Sequence, residues 1–138
     1  MKPVLLDTGA IVASLDRSEI HHRRALELME GLTAPLVTCE PVITEACHLL
    51  RNLPGLRDLV LKNVAAGVFQ VPFQLHNSVS SVERILAKYR DHPIDLADAC
   101  LIQMANEFET GEILTLDHDF QFFRWGRNNT FELLIQIE

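Results

Sequence analysis

The sequence predicts an α/β fold with a mainly parallel central sheet and helices on both faces. Short apolar or β-branched runs, typical of buried strands, alternate along the chain with longer stretches whose apolar residues recur at helical spacings of three and four. The chain has 138 residues, of which 48% are hydrophobic. It is therefore long enough for one compact core and too short for two ordinary domains, and we expect a single domain over residues 1–138.

The first half of the chain contains three of the predicted strands. In chain order, the elements are a strand over Val4–Asp7, helices over Ala10–Leu15 and Ile20–Gly31, a strand over Leu36–Thr38, helices from Pro41 to Leu50 and over Leu56–Ala66, and a strand over Val68–Phe73. Gly31 and Gly67 are typical of helix ends, and Pro41 suits the first turn of a helix. The segment "NLPG" ends the helix that Pro41 begins.

The second half of the chain ends in two more strands. Its predicted elements are helices over Ser78–Arg90 and Asp95–Phe108, a strand over Glu112–Leu116, an irregular piece over Phe120–Trp125 and a strand over Phe131–Ile135. The segment "DHP" separates the two helices, because proline disfavours a helical residue before it. In open parallel sheets, ligands bind beyond the carboxyl ends of the strands, so acidic residues that follow strands indicate a site.

Four acidic residues can reach that edge of the sheet. Asp7 and Asp117 each close a strand, while Asp98 and Glu45 lie near the start of a helix. Each also has a local interpretation: Asp98 can complete a capping box begun by Asp95, Glu45 suits a helix N-terminus, and Asp117 can begin a turn. Taken together they favour a metal site, because converging carboxylates repel one another unless a cation holds them.

Such a site would select a hard cation such as Mg²⁺ or Mn²⁺ rather than zinc. A metal held in this way can position a phosphodiester and activate water for its hydrolysis. The net charge of −7 argues against a nucleic-acid partner, which usually requires a basic surface. That argument fails if the acids are concentrated at one bound metal, because the cation reverses the charge that a phosphate meets.

Four segments carry a resemblance to a known family. The sequences "LLDTGAIVASLD", "TCEPVITEACHLL", "IDLADACLIQMA" and "ILTLDHDF" resemble, in order and spacing, the four signature blocks of the PIN domain, and in particular of VapC-type toxins from bacterial toxin–antitoxin pairs. The resemblance covers the chain from Val4 to the last strand. It implies a three-layer α/β/α sandwich with a mainly parallel five-stranded sheet, and a metal-dependent endoribonuclease that leaves 5′-phosphate and 3′-hydroxyl ends.

The resemblance also implies roles for individual residues. The residues assigned to catalysis are Asp7, Glu45, Asp98, Asp117 and Thr115; the four acids among them bind Mg²⁺ or Mn²⁺, and Thr8 and Asp119 support the site without binding metal directly. Two positions depart from the family's pattern, because Ala97 precedes Asp98 where a hydroxyl residue is common and His118 follows Asp117 where arginine is frequent. Neither change removes an acid.

The implied partners are an RNA substrate, a second copy of the chain in a homodimer, and an antitoxin that places a basic segment in the acidic cleft. We expect the antitoxin's hydrophobic contact around Leu32, Leu53 and Leu56. The apolar runs are too short for a membrane span, and Met1 to Pro3 lead directly into a strand, so we expect a cytoplasmic protein without a membrane partner. The alternatives are an RNA-processing PIN nuclease that is not a toxin and a non-catalytic RNA-binding or interaction module.

Other chemistry is less well supported. A receiver domain would need a lysine after a late strand, and a dehalogenase-like phosphatase would need an acid where Gly9 stands. His118 is more typical of a partly exposed hydrogen-bonding residue than of a ligand. Arg124, Trp125 and Arg127 suit base stacking, but packing of the C-terminal segment explains them better. The three cysteines form no CxxC pair, which argues against a disulfide framework and a zinc site.

Overall fold

A computed structural model of the chain describes residues 1–135 and contains a parallel sheet of five strands. The described residues form seven strands: β1 (Val4–Leu6), β2 (Leu36–Val37), β3 (Phe69–Gln70), β4 (Glu112–Leu114), β5 (Arg124–Trp125), β6 (Asn129–Thr130) and β7 (Glu132–Leu133). Five of them form the parallel sheet, in the order β3, β2, β1, β4, β7, while β5 and β6 pair separately. The predicted α/β fold with its mainly parallel five-stranded sheet is confirmed.

In the described part of the chain, six α-helices connect and cover these strands. They are α1 (Thr8–Leu15), α2 (His22–Gly31), α3 (Glu40–Leu49), α4 (Leu56–Ala65), α5 (Val79–Lys88) and α6 (Leu96–Phe108). Short 3₁₀ turns cover Leu75–Ser78 and His118–Gln121. Helix α1 begins at Thr8 rather than at the predicted Ala10, because Asp7 leaves the strand and caps the helix directly.

Strand β1 forms the centre of the sheet. Leu5 pairs with Val37 of β2 on one side and with Ile113 of β4 on the other. Val4, Leu5 and Leu6 are all buried, since a central parallel strand is covered on both faces. This double burial explains why the run is continuously apolar rather than alternating. Helix α6, which packs against β1 and α5, contributes the longest series of buried residues.

The C-terminal segment differs most from expectation. The predicted irregular piece over Phe120–Trp125 is a 3₁₀ turn followed by the antiparallel hairpin β5–β6. Gly126 and Asn128 make that hairpin possible, because both have a positive φ, of 57° and 69°. The predicted last strand over Phe131–Ile135 is shortened to β7, which pairs with β4 at the edge of the sheet.

Two further features concern the helices and the cysteines. Within residues 1–135, none of the helices combines the length and the apolar character that a membrane crossing needs. Cys39 and Cys100 are free and buried, and Cys47 is free and half-buried.

Candidate metal centre

Three aspartates meet at the carboxyl edge of the sheet. Asp7, Asp98 and Asp117 each present one carboxylate oxygen, and these three oxygens lie within 4.8 Å of one another. Asp7 follows β1 directly, Asp117 follows β4 by three residues, and Asp98 lies in the first turn of α6. The parallel pairing of β1 with β4 places the ends of both strands at the same edge, so three distant parts of the sequence form one acidic cluster.

Asp7 is the most tightly held of the three. Its Oδ1 accepts a hydrogen bond of 2.8 Å from the backbone N–H of Thr8, and its Oδ2 accepts one of 2.7 Å from the hydroxyl of Thr115. The side chain of Asp7 is buried, and the backbone N–H of Asp7 donates to the carbonyl of Leu114 at 3.0 Å. Sheet hydrogen bonding between β1 and β4 therefore extends to Asp7 and fixes the backbone that carries the carboxylate.

Thr115 connects two members of the cluster. Its Oγ1 donates to Asp7 and at the same time accepts a 3.0 Å hydrogen bond from the backbone N–H of Asp117. Thr115 is completely buried, and a threonine hydroxyl has one proton to donate and lone pairs to accept. One side chain thus determines the spacing between the ends of β1 and β4.

Asp98 combines the two roles considered from the sequence. Its backbone N–H donates to Asp95 Oδ1 at 2.8 Å, and its Oδ2 accepts from the N–H of Asp95 at 3.3 Å, which completes a capping box. The same carboxylate is part of the three-oxygen cluster. Capping and convergence are compatible here, because a carboxylate has enough lone pairs for both.

Glu45 lies beside the cluster rather than within it. It is exposed on α3 and lines the same cavity as Asp7, Asp98 and Asp117. It is absent from the set of carboxylates whose oxygens approach to within 4.8 Å. Its charge nevertheless acts on the site, because it raises the pKa of Asp7.

The cavity carries no positive charge of its own. Its lining consists of Asp7, Thr8, Gly9, Glu45, Leu49, Asp95, Asp98, Leu116 and Asp117. No lysine or arginine is among these described residues, so the negative charge of the carboxylates is unbalanced by the protein. Burial raises the pKa of Asp7 to about 6, opposed in part by the hydrogen bonds from Thr115 and Thr8.

Asp98 is perturbed in the same direction. Burial raises its pKa to about 8, and the negative charge of Asp95 is the next largest cause. A cation bound between these carboxylates would favour their ionised forms, because its positive charge offsets the cost of burial and of their mutual repulsion.

A threonine hydroxyl at this cavity lacks a partner. Thr8 Oγ1 is enclosed and makes no hydrogen bond with any of residues 1–135, although a buried hydroxyl normally makes one. Carboxylate oxygens with a nearby free hydroxyl are the donor set that hard divalent cations and their water molecules prefer. The residues present at this edge of the sheet therefore fit a divalent metal.

The remaining residues predicted for the site lie in the turn after β4. The N–H of Asp119 donates to Asp117 Oδ1 at 2.9 Å, and the carboxylate of Asp119 points away toward His92, with 3.3 Å between Oδ1 and Nε2. His118, between the two acids, is exposed. The sequence did not single out His92, because its partner lies in a distant segment and no local spacing indicates the contact.

The basic and aromatic residues after this turn are engaged in packing. Arg124 Nη1 donates to the carbonyls of Gln121, Phe122 and Phe123, and Trp125 Nε1 donates to the carbonyl of Thr130 at 3.1 Å. The indole also covers Gly111, where a Cβ atom would collide with it. These contacts support the interpretation of Arg124 and Trp125 as packing residues, while Arg127 is exposed.

The raised pKa values predict how the metal-free protein responds to pH. Folding raises the pKa of Asp7 from 3.8 to about 6 and that of Asp98 from 3.8 to about 8, so the folded state binds more protons than the unfolded state within this window. Stability therefore falls as the pH rises from about 4 to about 8, by up to about 3 kcal/mol for Asp7. Urea unfolding in EDTA at about pH 4 and about pH 8.5, which lie on either side of the two raised pKa values, measures this loss.

The variant Asp7→Asn isolates the contribution of that carboxyl. It should lose less stability than the wild type between the two pH values, since its amide does not titrate. Equal losses in both proteins would show that other groups determine the pH dependence.

The chain is similar to known proteins both in sequence and in three-dimensional structure. A sequence model of the PIN domain family matches residues 4–125. The chain is 29% identical over 116 residues to Ribonuclease VapC26 of Mycobacterium tuberculosis, a match that covers 83% of this chain and 86% of that protein. In three dimensions it is similar to VapC20 of Mycobacterium tuberculosis, described as a sarcin–ricin loop cleaving toxin, with a TM-score of 0.77, 16% identity, and coverage of 84% of this chain and 91% of that one.

Proposed function

The chain belongs to the PIN domain family, and from this premise we propose that it is a metal-dependent endoribonuclease and the toxin of a toxin–antitoxin pair. The observation that carries the proposal is the convergence of Asp7, Asp98 and Asp117 within 4.8 Å at the edge of the sheet. The similarity to a protein named Ribonuclease VapC26 supports RNA as the substrate. The family model matches residues 4–125, and we propose that residues 1–138 form one PIN domain. We also propose that the enzyme acts in the cytoplasm, where its RNA substrate is present.

Asp7, Asp98 and Asp117 would hold one or two Mg²⁺ or Mn²⁺ ions, with Glu45 at the rim of the same cavity. When bound, such a cation supplies positive charge for a phosphodiester and lowers the pKa of water. Thr115 holds Asp7 and Asp117 at a constant spacing, so the carboxylates need little rearrangement when they act. Leu49 and Leu116 add apolar surface to the lining of the cavity.

The antitoxin would meet a second acidic cleft that continues from the metal cavity. Glu45 and Asp95 line both spaces, and the cleft adds Glu40 at its rim and apolar side chains including Phe73 and Leu96. An arginine or lysine side chain matches this lining, because its aliphatic stem can contact the apolar residues while its charge meets the carboxylates. We therefore place the antitoxin's basic segment here.

The hydrophobic contact with the antitoxin would lie in a separate groove, which shares no lining residue with the metal cavity. A groove between α2 and α4 is lined by Leu26, Leu53, Leu56 and Leu59, and Leu53 and Leu59 are 37% and 39% exposed. This groove includes two of the three leucines expected from the sequence, while Leu32 is half-buried and does not line it. An amphipathic helix of the antitoxin suits a groove of this kind.

Replacing Leu53 with Glu should weaken antitoxin binding by about 10-fold or more, because it places a charge in a contact that buries apolar surface. RNA cleavage should be unchanged, since the groove is separate from the metal cavity. Calorimetry with the purified antitoxin measures the affinity. Leu61→Glu is the matched control, because Leu61 is 52% exposed on α4 but does not line the groove; equal effects of both variants would contradict this placement.

Expression of the chain alone tests the proposed function as a whole. It should arrest growth, and co-expression of the small protein encoded beside it should restore growth. The purified protein should bind Mn²⁺ in calorimetry and cleave RNA only when the metal is present. Cleavage without growth arrest would indicate an RNA-processing nuclease, and absence of Mn²⁺ binding would indicate a non-catalytic module. Sedimentation of the purified protein tests the proposed homodimer.

A further inference from the structure

The segment between α5 and α6 packs against the turn that follows Asp117. Its contact residue is His92, whose ring stacks on Phe122 with 4.4 Å between ring centroids and 23° between the planes. The backbone N–H of His92 donates to the carbonyl of Tyr89 at 2.9 Å, which fixes the ring relative to the end of α5. His92 is therefore held in place by its own segment and by the aromatic residues it faces.

The polar edge of this ring is directed at Asp119. His92 Nε2 is enclosed and lies 3.3 Å from Asp119 Oδ1, an ion-pair distance without the alignment of a hydrogen bond. A polar atom shut off from water is costly without a partner, so the enclosed Nε2 favours a position of the Asp119 carboxylate beside it, while the two side chains are 30% and 37% exposed.

Asp119 in turn contacts Asp117, a residue of the metal cluster. Its N–H donates to Asp117 Oδ1 at 2.9 Å, and its carbonyl accepts from the N–H groups of Phe122 and Phe123 at 2.9 and 3.0 Å. The side chain, the N–H and the carbonyl of Asp119 thus have separate partners. Together these contacts set the position of Asp119, and with it the position of the N–H that meets Asp117.

The segment between α5 and α6 that carries His92 is also connected to Asp98 of the cluster. Three residues after His92 comes Asp95, which caps α6 and bonds to Asp98. The contact between His92 and Asp119 is therefore a bridge between the segments that carry Asp98 and Asp117, in addition to the bridge that Thr115 forms between Asp7 and Asp117.

We propose that His92 is a positioning residue for the metal centre, which acts through Asp119 to hold Asp117 in place relative to Asp98. The inference rests on the proposed metal-binding function. It assigns His92 no contact with metal or RNA, only the maintenance of the geometry in which the three carboxylates converge. Residues that orient metal ligands in this way typically change metal affinity by 10-fold or more when they are replaced.

Two substitutions separate the polar contact from the packing of the ring. His92→Phe preserves an aromatic ring against Phe122 but removes Nε2, and should raise the dissociation constant for Mn²⁺ about 10-fold with little change in melting temperature. His92→Gln loses the ring but can place its amide nitrogen near the Nε2 position, and should remain within about threefold of the wild type. His76→Phe, which changes an exposed histidine in a distant turn, is the matched control.

Calorimetric titration with Mn²⁺ tests the positioning role of His92 through metal affinity, without measuring cleavage. The double variant His92→Phe, Asp119→Asn should bind Mn²⁺ no more weakly than the worse single variant, because both changes remove the same contact. Additive losses would overturn the proposal, as would unchanged affinity in His92→Phe. If the wild type itself bound no Mn²⁺, both the metal site and this inference would be wrong. If the wild type bound Mn²⁺ and the His92 variants bound it equally well, the metal site would stand and the role of His92 would be wrong.

Discussion

Replacing Asp7 with Asn will abolish metal-dependent RNA cleavage, by about 10³-fold or more, while the protein remains folded. The carboxylate of Asp7 is the innermost of the three that converge, and a neutral amide cannot supply the negative charge that holds a divalent cation. A loss of this size corresponds to about 4 kcal/mol of transition-state stabilisation, within the range that a catalytic metal supplies. Cleavage of labelled RNA at saturating Mn²⁺ measures it.

The fold should tolerate this change because Asn keeps most of the local contacts. Its amide oxygen can accept from the N–H of Thr8, as Asp7 Oδ1 does, and its amide nitrogen can donate to the hydroxyl of Thr115. The variant also removes a buried carboxyl group whose pKa is raised to about 6, and which is therefore an unfavourable buried charge above that pH. Above pH 6 the metal-free variant should be at least as stable as the wild type. Asp58→Asn, on the exposed face of α4, is the control for nonspecific effects of a lost charge.

Two results would count against this assignment of Asp7. Undiminished cleavage by a preparation free of contaminating nucleases would remove Asp7 from the metal site. A variant that fails to fold, shown by a lost unfolding transition, would mean that the carboxylate is needed for the structure rather than for the metal.

Replacing Asp98 with Asn should separate the two roles that this residue combines. The amide oxygen can still accept from the N–H of Asp95, so the capping box and the start of α6 should survive. The charge facing Asp7 and Asp117 is lost, so Mn²⁺ affinity should fall about 10- to 100-fold and cleavage should fall with it. Thermal unfolding and Mn²⁺ calorimetry of the same preparation measure the two effects.

The reciprocal variant provides the control for capping. Asp95→Ala removes the acceptor for the N–H of Asp98 and should lower the free energy of unfolding by about 1 kcal/mol. Its carboxylate is not one of the three that converge, so the loss of Mn²⁺ affinity should be smaller than in Asp98→Asn. If Asp98→Asn lowered stability as much as Asp95→Ala and left Mn²⁺ affinity intact, Asp98 would be a capping residue alone.

The order of strands and helices and the acids that follow them could be predicted from the sequence. Apolar runs such as Val4 to Leu6 are buried wherever a parallel sheet forms, and an acid after such a run must lie at the sheet edge. These are local consequences of periodicity and burial, so they do not depend on which strand lies beside which. The hairpin β5–β6 was missed because its two short strands are mostly polar and carry no clear periodicity.

The distances within the site were decided by the tertiary structure. Four acids were expected to converge, but only Asp7, Asp98 and Asp117 approach within 4.8 Å, with Glu45 at the rim. The strand order places β4 beside β1, which puts the hydroxyl of Thr115 between the carboxylate of Asp7 and the backbone N–H of Asp117.

The chain by itself therefore determined which residues end its strands, because alternation, burial and turn chemistry act between neighbours in sequence. Only the folded arrangement decided which side-chain atoms meet, as in the contacts of Thr115 with Asp7 and of His92 with Asp119. Those contacts join residues far apart in sequence, and a hydrogen bond or ion pair requires positions accurate to a few tenths of an ångström. No local pattern specifies distance to that accuracy; the register of the sheet and the packing of α6 do.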